Sequence, residues 1–551
     1  MKIVIVGGVA GGASAAARLR RLDERAEIVL FERGPDVSFA NCGLPYYVGG
    51  EIADRGKLLV VKPELLRTRF RLDIRPRHDV RSIDRARRSV SVVDLATGRQ
   101  FDESYDRLIL SPGAAPLRPP LPGLDLPGVY TLRNLEDVDR IKARSEGARH
   151  AVVIGAGFIG LEMVENLVRR GIGVTLVELQ DQVLPPLDKE MTAPITNLLK
   201  SKGVDLRLSQ AAEAFEPAAD GAIGVRLKSG DVVTAQLVVV GVGVRPENGL
   251  AVAAGLEVGP RGGIRVNEQM QTSDPNIYAV GDAIEVRDFV TEQPTQIPLA
   301  GPANRQGRIA ADHICGRPAK YRGTQGTAVV GQFGLTAAAT GASEKTLTRL
   351  GRPFAKVYLH PAHHAGYYPG AEPMSLKLLF DPEDGRILGA QGVGGAGVDK
   401  RIDVVAVSLQ ARLTVYDLEE VELCYAPQFG SAKDPINMAG FIAANRLRGD
   451  HPQIGVDEWL HLATLPEADR PLLFDVRTPT EFAAGAVPGA VNLPVDELRD
   501  RLGELPRGRR IVAYCQVGQR GYLAVRILLQ NGFDAANLAG GYKSWKLFVP
   551  S

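Results

Sequence analysis

Two glycine-rich turns, each following a strand and opening a helix, constrain the fold of this chain more than any other feature. The first joins strand Ile3–Val6 to a helix rich in Ala, Arg and Leu through residues 7–12, and strand Glu27–Glu32 follows. The second joins strand Ala151–Ile154 to a helix through residues 155–160. In such units the glycines let the backbone approach a pyrophosphate that faces the helix N-terminus. The sequence therefore predicts an α/β fold with two dinucleotide sites.

An acidic residue ends the second strand of each unit, where a carboxylate can accept hydrogen bonds from ribose hydroxyls. These residues are Glu32 and Glu178. Because Glu178 would repel a 2′-phosphate and no arginine follows it immediately, the second site favours NADH over NADPH. In the first turn Val9 stands where the usual pattern has its middle glycine. The predicted glycine contacts are Gly7, Gly8, Gly11 and Gly12 in the first site and Gly155, Gly157 and Gly160 in the second.

Length and charge set broad limits on the kind of protein. A chain of 551 residues predicts about three or four domains. Its 66 basic and 64 acidic residues nearly balance, so charge gives no reason to expect a nucleic acid or an acidic membrane as partner. Met1-Lys2 leads directly into a strand, without the pattern of a signal peptide, and the apolar run 237–244 is too short to span a bilayer. We therefore expect a cytoplasmic protein.

The four cysteines are scattered along the chain, which predicts neither a disulfide framework nor a zinc site. Cys315 precedes Gly316 at the end of a predicted helix and is interpreted as structural. Cys42 is followed by Gly-Leu-Pro-Tyr-Tyr, so no neighbouring thiol can resolve a mixed disulfide on it. A second thiol would have to come from the substrate or from a distant cysteine, unless no second thiol takes part. Alternatively, Cys42 is a small buried apolar residue.

The segments between and after the two glycine turns carry a family resemblance. Residues 105–113 form a strand that ends in a tight turn, the chain returns at residues 238–243, and a further strand ends at Asp282. Over about residues 1 to 445 the chain resembles the two-dinucleotide-binding flavoproteins related to glutathione reductase and NADH oxidases. The resemblance implies FAD in the first domain, NADH in the inserted one and Asp282 on the flavin ribityl chain. Further cofactor contacts expected on this basis are Arg33, Ser111, Gly113 and Ala300.

Residues 323–445 are interpreted by the same resemblance as a dimerisation domain. Its predicted elements are strands near Ala328–Val330, Lys356–Leu359 and Met374–Phe380 and a helix from about Lys400 to Ala411. Three histidines lie close together in sequence, but no carboxylate or cysteine accompanies them at ligand spacing, and we predict no metal there. They are His360, His363 and His364.

The motif Asn41-Cys42-Gly43-Leu44-Pro45-Tyr46 and two tyrosine-bearing loops, 363–370 and 424–430, narrow the resemblance to the coenzyme A-disulfide reductases. This subgroup implies that Cys42 forms a mixed disulfide with coenzyme A. It also implies a homodimer in which Tyr367 and Tyr425 of the other subunit reach the substrate sulfur. The alternative is that both tyrosines are ordinary amphipathic interface residues. The expected coenzyme A contacts are Ser38, Asn41, Arg18, Arg21 and Arg305, although arginines on such a helix are commonly a solvated face.

After a short predicted linker, residues 446–454, a further module resembles a rhodanese domain, a sulfurtransferase fold. The resemblance rests on 472–482, 486–494, 511–521 and 538–545, with Ala486-Val487 where the family more often has His-Ile. A strand delivers Cys515 into a short loop that runs into a helix, so backbone N–H groups converge on the sulfur, and Arg520 adds a positive charge. This setting stabilises the terminal sulfur of a persulfide.

The sequence thus predicts an FAD-binding domain at 1–112 and 246–322, an NAD-binding domain at 113–245, a dimerisation domain at 323–445 and a rhodanese domain at 455–551. The predicted activity is NADH-dependent reduction of coenzyme A persulfide, polysulfide or coenzyme A disulfide, with coenzyme A as substrate or tightly bound ligand and Cys515 handling sulfane sulfur. One alternative is a peroxidase or oxidase in which Cys42 cycles through sulfenic acid. Another is a redox sensor or sulfur carrier that does not turn over.

Overall fold

The structure, a computed structural model, describes residues 1–549 and divides into two compact units. One unit combines Met1–Asp181 with Lys200–Gly326, and the other combines Gln182–Leu199 with the described chain from Thr327 onward. Within residues 1–549, no helix has both the length and the apolar composition needed to cross a lipid bilayer.

The first unit opens with the predicted strand, glycine turn, helix and strand. The elements that precede the inserted segment are β1 (Lys2–Val6), α1 (Ala10–Leu22), β2 (Glu27–Glu32), α2 (Leu44–Gly49), α3 (Pro63–Phe70), β3 (Asp73–Pro76), β4 (His78–Asp84), β5 (Ser89–Asp94), β6 (Gln100–Ser104) and β7 (Arg107–Leu110).

The inserted segment repeats this pattern and adds a small antiparallel sheet. Its elements are β8 (Ala114–Pro116), β9 (Val129–Tyr130), α4 (Leu135–Ser145), β10 (His150–Ile154), α5 (Phe158–Arg169), β11 (Gly173–Val177), α6 (Lys189–Ser201), β12 (Asp205–Arg207), β13 (Ala212–Pro217), β14 (Ile223–Leu227), β15 (Val232–Ala235), β16 (Leu237–Val240) and β17 (Val244–Pro246). The chain then returns through α7 (Gly249–Ala253), β18 (Ile264–Arg265), β19 (Ile277–Ala279), β20 (Ile284–Arg287), β21 (Pro294–Thr295) and α8 (Ala300–Ile314).

Two parallel sheets position the glycine turns. The first has the strand order β19-β7-β1-β2-β3 and the second the order β12-β11-β10-β16-β9. The inner strands are buried and almost continuously apolar, as expected for parallel sheets covered on both faces, whereas the edge strands β3, β9 and β12 are only partly buried. In each sheet the glycine turn follows the central strand, β1 or β10. Both turns therefore lie at the carboxyl ends of the strands, where open α/β sheets bind ligands.

The second unit contains an antiparallel sheet with the order β22-β23-β26-β25-β24. Its elements are β22 (Ala328–Gln332), β23 (Leu335–Gly341), α9 (Glu344–Arg349), β24 (Ala355–Leu359), β25 (Met374–Phe380), β26 (Ile387–Gly394), α10 (Val398–Gln410), α11 (Val415–Glu420) and α12 (Pro435–Leu447). The predicted strands and helix are present, and α10, which packs on β23 and β26, begins two residues earlier than predicted.

A buried lysine lies at the centre of a cluster of acidic residues in this unit. The Lys377 ammonium is 2.8 Å from Asp188, 2.6 Å from Glu190 and 2.6 Å from Glu344. The three carboxylates are close enough together to hold a metal ion, but the lysine already supplies the positive charge. They also raise the pKa of Lys377 against the effect of its burial. We interpret the cluster as structural, because removing one partner would leave buried charge uncompensated.

The C-terminal part of the second unit is a five-stranded parallel sheet with helices. Its elements are β27 (Gln453–Ile454), α13 (Val456–Leu462), β28 (Leu472–Asp475), α14 (Pro479–Ala483), β29 (Val491–Asn492), β30 (Ile511–Tyr514), α15 (Gln519–Gln530), β31 (Ala535–Leu538) and α16 (Gly541–Phe548). The strand order is β27-β31-β30-β28-β29. The segment 446–454, predicted as a linker, contains the end of α12 and all of β27.

Helix α16 connects this parallel sheet to the antiparallel one. His360 follows β24, and its ring lies between Ser375 Oγ at 2.9 Å and Ser544 Oγ of α16 at 2.8 Å. Burial lowers the pKa of His360 to about 3, so the ring is neutral at physiological pH. At its N-terminus the same helix donates backbone N–H groups of Tyr542 and Lys543 to the carbonyl oxygens of Cys515 and Gln516.

Candidate functional site

The two glycine turns are closely packed where the backbone must bend. Gly7 and Gly155 have φ near +99° and +100°, a conformation that disfavours residues with a Cβ. A Cβ on Gly12 would overlap the carbonyl oxygen of Gly7, and one on Gly160 would overlap that of Gly155. Gly157 differs, because a Cβ there would meet nothing within 4 Å. Its open space lies at the N-terminus of α5, where the predicted pyrophosphate belongs.

This contrast gives a prediction for the second turn. Gly160→Ala forces a methyl group against the backbone and should lower the free energy of unfolding by about 1–3 kcal/mol, because overpacking displaces neighbouring atoms. Gly157→Ala should leave stability unchanged and raise the KM for NADH severalfold, because its methyl group fills the space of the pyrophosphate. Urea unfolding and steady-state titration with NADH measure the two effects. A destabilised Gly157→Ala, or one with an unchanged KM, would contradict this assignment.

The two predicted ribose acceptors are held in equivalent positions. Glu32 accepts the N–H groups of Gly8 and Gly34, both at 2.8 Å. Glu178 accepts the N–H of Ala156 at 2.7 Å and that of Gln180 at 2.8 Å. Each carboxylate is therefore fixed beside its glycine turn by the backbone. A carboxylate has about four lone-pair sites, so each retains capacity to accept ribose hydroxyls.

Cys42 lies in a short 3₁₀ turn, Asn41–Gly43, directly before α2. The residue is exposed and forms no disulfide. Partial desolvation of the sulfur and the negative charges of Glu162 and Asp282 raise the pKa of the Cys42 thiol, while a backbone hydrogen bond acts in the opposite direction. The interpretation of Cys42 as a buried apolar residue is therefore wrong. An exposed thiol with nearby acidic groups needs help to become a thiolate.

The residues predicted to bind coenzyme A have different surroundings. Arg18 forms an ion pair with Asp312 of α8 at 2.6 Å, so its charge is already compensated. Arg21 and Arg305 are exposed on α1 and α8, which pack against each other. Ser38 is buried with φ at 52°, and Asn41 is exposed and donates its side-chain amide to the carbonyl of Arg133 at 3.0 Å. Arg21 and Arg305 thus remain the better placed cations.

An acidic residue that the sequence analysis did not single out lies near Cys42. Glu162 is close to the start of α5, and Tyr46 of α2 donates its hydroxyl to Glu162 Oε1 at 3.4 Å. Burial raises the pKa of Glu162 to about 7, with a smaller contribution from Glu165. The pattern that places it is Gly-x-Gly-x-x-Gly-x-Glu, which continues the second glycine turn by two residues.

The two predicted tyrosines come together in the second unit. Tyr367 and Tyr425 are 76% and 48% exposed, and their hydroxyl groups are 2.8 Å apart. The hydrogen bond to Tyr425 raises the pKa of Tyr367. Two phenols on separate loops therefore present one pair of O–H groups to solvent, an arrangement suited to donating hydrogen bonds to an incoming group.

The Cys515 loop has the geometry of a sulfur-binding cradle. Cys515 follows β30 and is 1% exposed, and the N–H of Gly518 points at its Sγ over 3.2 Å. Gly518, whose φ is 99°, is the residue directly before α15. Because its N–H is directed at the sulfur, the N-terminus of α15 faces Cys515. A helix N-terminus and convergent N–H groups favour negative charge at that point.

Two arginines organise the surroundings of this loop. Arg520 forms two hydrogen bonds of 2.7 Å to Glu481, which lower the pKa of Glu481 to about 2. Interactions with Glu481 and then with Cys515 raise the pKa of Arg520. Arg477 pairs with Asp475 at 2.6 Å and donates to the side chain of Gln516 at 3.0 Å. Sequence analysis identified Arg520 but missed Glu481 and Arg477. A Thr478-x-x-Glu481 capping box was the available signal for Glu481.

Comparison with known proteins identifies the architecture. The family model described as pyridine nucleotide-disulphide oxidoreductase matches residues 1–307, and the model for its dimerisation domain matches 327–434. The chain belongs to this family. A rhodanese-like domain model matches residues 460–547. The predicted combination of an oxidoreductase, a dimerisation domain and a rhodanese domain in one α/β chain is confirmed, whereas the predicted boundaries between the domains stay predictions.

Several relatives of this oxidoreductase are similar over most of its length. The coenzyme A disulfide reductase of Staphylococcus aureus (strain JH9) is 37% identical over 445 residues, which cover 80% of this chain and 99% of the relative. The crystal structure of reduced Bacillus anthracis CoADR-RHD has a TM-score of 0.97 at 50% identity and covers 100% of this chain and 98% of that one. The NAD-dependent persulfide reductase from A. fulgidus has a TM-score of 0.91 at 36% identity, covering 99% and 100%.

Membership of the pyridine nucleotide-disulphide oxidoreductases implies FAD and NAD(H), and the first unit fits both. Asp282 is half-buried after β19, and burial raises its pKa. In the described chain, 1–549, no donor forms a hydrogen bond with its carboxylate. A desolvated acceptor of this kind suits the hydroxyls of a ribityl chain. The turn at Ser111 supports the site, because its carbonyl closes over Gly7 and its side chain lies against Gly11.

The structure gives weaker support for three further cofactor contacts predicted in this oxidoreductase. Arg33 forms an ion pair with Glu247 at 2.6 Å. Gly113 has φ at 76° and open space around a Cβ position, and Ala300 is exposed at the start of α8. The roles of all three residues stay predictions. If Arg33 contacts the cofactor, it does so while its charge is paired with that of Glu247.

Proposed function

We propose that this chain is an NADH-dependent flavoenzyme that reduces coenzyme A persulfide, polysulfide or coenzyme A disulfide through the single redox cysteine Cys42. The observation that carries the proposal is the presence of two different sulfur sites in one chain. Cys42 is exposed and has no neighbouring thiol, whereas Cys515 is buried in a cradle of backbone donors. The first suits exchange with an external disulfide and the second suits a persulfide. The likeness to reductases of both substrate types supports the same conclusion.

The electron donor is proposed to be NADH rather than NADPH. Glu178 is buried and held by two backbone N–H groups, and Leu179-Gln180-Asp181 follow it. This segment offers no cation for a 2′-phosphate, and the Glu178 carboxylate would repel one. When bound, FAD supplies the two-electron transfer that links NADH to the sulfur chemistry.

The chemistry of the chain's own residues centres on Cys42. Its thiolate forms a bond to one sulfur of the substrate as the substrate S–S bond breaks, and coenzyme A thiolate or hydrosulfide leaves. Tyr367 and Tyr425 of the partner subunit donate hydrogen bonds or a proton to the leaving sulfur. Two electrons that originate from NADH then break the S–S bond on the sulfur-modified Cys42, which returns the Cys42 thiolate and releases the bound sulfur group as a second coenzyme A thiolate or as hydrosulfide. Arg21 and Arg305 hold the phosphates of coenzyme A, and Ser38 and Asn41 line the path to Cys42.

The C-terminal module is proposed to handle sulfane sulfur. Cys515 accepts a sulfur atom from a persulfide donor, which leaves as a thiolate, and passes it to coenzyme A or toward Cys42. Arg520 and the N-terminus of α15 stabilise the charge on the terminal sulfur. All four cysteines are free, as expected for a reducing compartment, and we propose a cytoplasmic homodimer.

Anaerobic oxidation of NADH with a panel of acceptors tests the function. The acceptors are coenzyme A disulfide, coenzyme A persulfide, polysulfide, hydrogen peroxide and, in a separate aerobic arm, oxygen. We expect the highest kcat/KM with one of the sulfur compounds. Hydrogen peroxide or oxygen as the best acceptor would instead establish the sulfenic acid cycle, and no turnover with any acceptor would favour a sensor or carrier.

A further inference from the structure

Three alternate residues at the end of β24 contact the rhodanese module, which runs from β27 to α16. Lys356 and Tyr358 lie in β24 and His360 follows it directly, so the three side chains share one face of the strand. The Lys356 ammonium is 2.9 Å from Asp457 of α13, and the ring of Tyr358 packs edge-on against an aromatic ring of α16. His360 Nε2 is 2.8 Å from Ser544 Oγ, also on α16. Side chains of the antiparallel sheet therefore hold α16.

The hydrogen bond between His360 and Ser544 is enclosed by protein. His360 is 8% exposed and Ser544 is fully buried. In the described part of the chain, the Ser544 hydroxyl has no hydrogen-bond partner other than His360. The second ring nitrogen, Nδ1, is 2.9 Å from Ser375 Oγ, which anchors the ring to β25. Because a buried polar group that loses its partner is strongly destabilising, this bond fixes the position of α16.

A turn of two glycines joins this bond to the Cys515 loop. Gly540 and Gly541 have φ of 67° and 64°, a conformation that favours glycine. A Cβ on Gly540 would overlap Ser544 Oγ and lie 2.9 Å from the Cβ of Tyr358. A Cβ on Gly541 would overlap the carbonyl oxygen of Cys515. The turn is therefore closely packed between β24 on one side and the Cys515 loop on the other.

Helix α16 holds two carbonyl oxygens of the Cys515 loop. The N–H of Tyr542 donates to the carbonyl oxygen of Cys515 at 2.8 Å. The N–H of Lys543 donates to the carbonyl oxygen of Gln516 at 3.0 Å. In a planar trans peptide the N–H points away from the carbonyl oxygen, so the N–H groups of Gln516 and Val517 point away from α16. Among the described residues neither group donates a hydrogen bond, and both are available to a ligand.

These two N–H groups continue into the donor that faces the cysteine. The next N–H in the sequence, that of Gly518, points at Cys515 Sγ over 3.2 Å. Successive backbone N–H groups of this kind form a concave site for an anion. A sulfur atom added to Cys515 lies beyond Sγ, where the N–H groups of Gln516 and Val517 can stabilise its negative charge. Their direction depends on where α16 holds the loop.

We propose that His360 is a positioning residue for sulfur transfer at Cys515. Through its bond to Ser544, His360 fixes α16, and α16 in turn keeps the N–H groups of the loop directed at the sulfur atom that Cys515 receives. This inference rests on the proposed function, in which Cys515 accepts sulfane sulfur. It makes the sulfur-transfer site of the rhodanese module dependent on the antiparallel sheet of the dimerisation domain.

Two substitutions of His360 test whether the bond to Ser544 is responsible. The side chain of His360→Asn can replace only Nδ1, which faces Ser375, whereas the longer amide of His360→Gln can replace Nε2, which faces Ser544. The full-length holoenzyme receives glutathione persulfide as donor and cyanide as acceptor, and thiocyanate is measured with the rate of Cys515→Ser subtracted as background. We expect His360→Asn to lower kcat/KM about tenfold, as for the loss of a buried hydrogen bond, and His360→Gln to retain most of the parental rate.

Ser544→Ala removes the same bond from the other side. It should lower kcat/KM as much as His360→Asn does, and the double variant should lose no more than either single variant, because both remove one interaction. The matched control is Ser408→Ala, which changes a buried serine of α10 bonded to a backbone carbonyl and should keep the parental rate. Should His360→Asn fail to fold, Ser544→Ala decides the question. Parental rates in both single variants, additive losses in the double variant, or a His360→Gln as slow as His360→Asn would overturn the inference.

Hydrogen exchange separates positioning from a general loss of stability. In His360→Asn and Ser544→Ala, amide exchange followed by mass spectrometry should be faster in peptides covering residues 515–522 and 541–548. It should be unchanged in peptides covering β28 and α10, and His360→Gln should match the parent throughout. Faster exchange across the whole rhodanese module would show a loss of stability instead and would overturn the inference.

The parent enzyme separates this inference from the proposed function. If the parent transfers sulfur and every variant matches it in rate and in exchange, the role of His360 is wrong and the function of Cys515 stands. If the parent transfers no sulfur from glutathione persulfide, the proposed function of Cys515 is wrong. The local change in hydrogen exchange then decides by itself whether His360 positions the loop.

Discussion

Replacing Cys42 with serine should abolish the reduction of coenzyme A disulfide, with a fall in kcat/KM on the order of 10⁴-fold or more, as for the loss of other covalent nucleophiles. A serine hydroxyl is protonated at neutral pH and cannot form the mixed disulfide that the proposed reaction requires. Anaerobic oxidation of NADH measures the loss. The variant should retain its flavin, because Cys42 lies in the 3₁₀ turn Asn41–Gly43 and outside both glycine turns.

Two matched cysteine variants show whether the effect belongs to Cys42. Cys315→Ser changes a residue that ends α8 before Gly316, and Cys424→Ser changes an exposed thiol beside Tyr425. Both should keep parental rates with coenzyme A disulfide. Loss of activity in Cys424→Ser would instead identify it as the distant second thiol, and substantial activity in Cys42→Ser would exclude a mixed disulfide on Cys42.

The parts of the structure that sequence predicted well depend on local geometry. Each glycine turn lies between a strand and a helix only a few residues away, and the Cys515 loop likewise follows β30 directly. In these segments the type of residue and its spacing determine the backbone, so the strands, helices and acidic strand ends lie at or within a few residues of their predicted positions. Cys315 ends α8 as predicted, while its interpretation as a structural residue stays a prediction.

The parts that sequence missed depend on contacts between distant segments. Arg18 forms an ion pair with Asp312 and Arg33 forms one with Glu247, and the partners are 294 and 214 residues apart in sequence. No local sequence pattern therefore shows that the charges of these arginines are paired. Glu162 gains its unusual pKa from packing of α5 against α2, 116 residues from its partner Tyr46. Spacing therefore predicts candidate residues for the chemistry, while their charge states follow from tertiary packing.

Replacing Cys515 with serine should separate the two sulfur activities. Transfer of sulfane sulfur from thiosulfate or a persulfide to a thiol should fall on the order of 10³-fold or more, because the acceptor sulfur of the persulfide is lost. Reduction of coenzyme A disulfide should be unchanged, since that substrate carries no sulfane sulfur for the rhodanese module to accept. Sulfite or sulfide release measures the first activity and oxidation of NADH the second.

Glu481→Gln is the matched variant for this site. It leaves Cys515 in place but removes the carboxylate that orients Arg520 through two hydrogen bonds of 2.7 Å. Sulfur transfer should fall by about tenfold, as expected for loss of one positioned charge-assisted contact worth roughly 1.5 kcal/mol.

Polysulfide reduction by Cys515→Ser then decides whether the rhodanese module and the flavoprotein module cooperate. If Cys515→Ser reduces every polysulfide as fast as the parent enzyme, Cys42 receives its sulfur directly from the substrate. A slower rate that coenzyme A persulfide restores would place Cys515 before coenzyme A in the sequence of sulfur transfers.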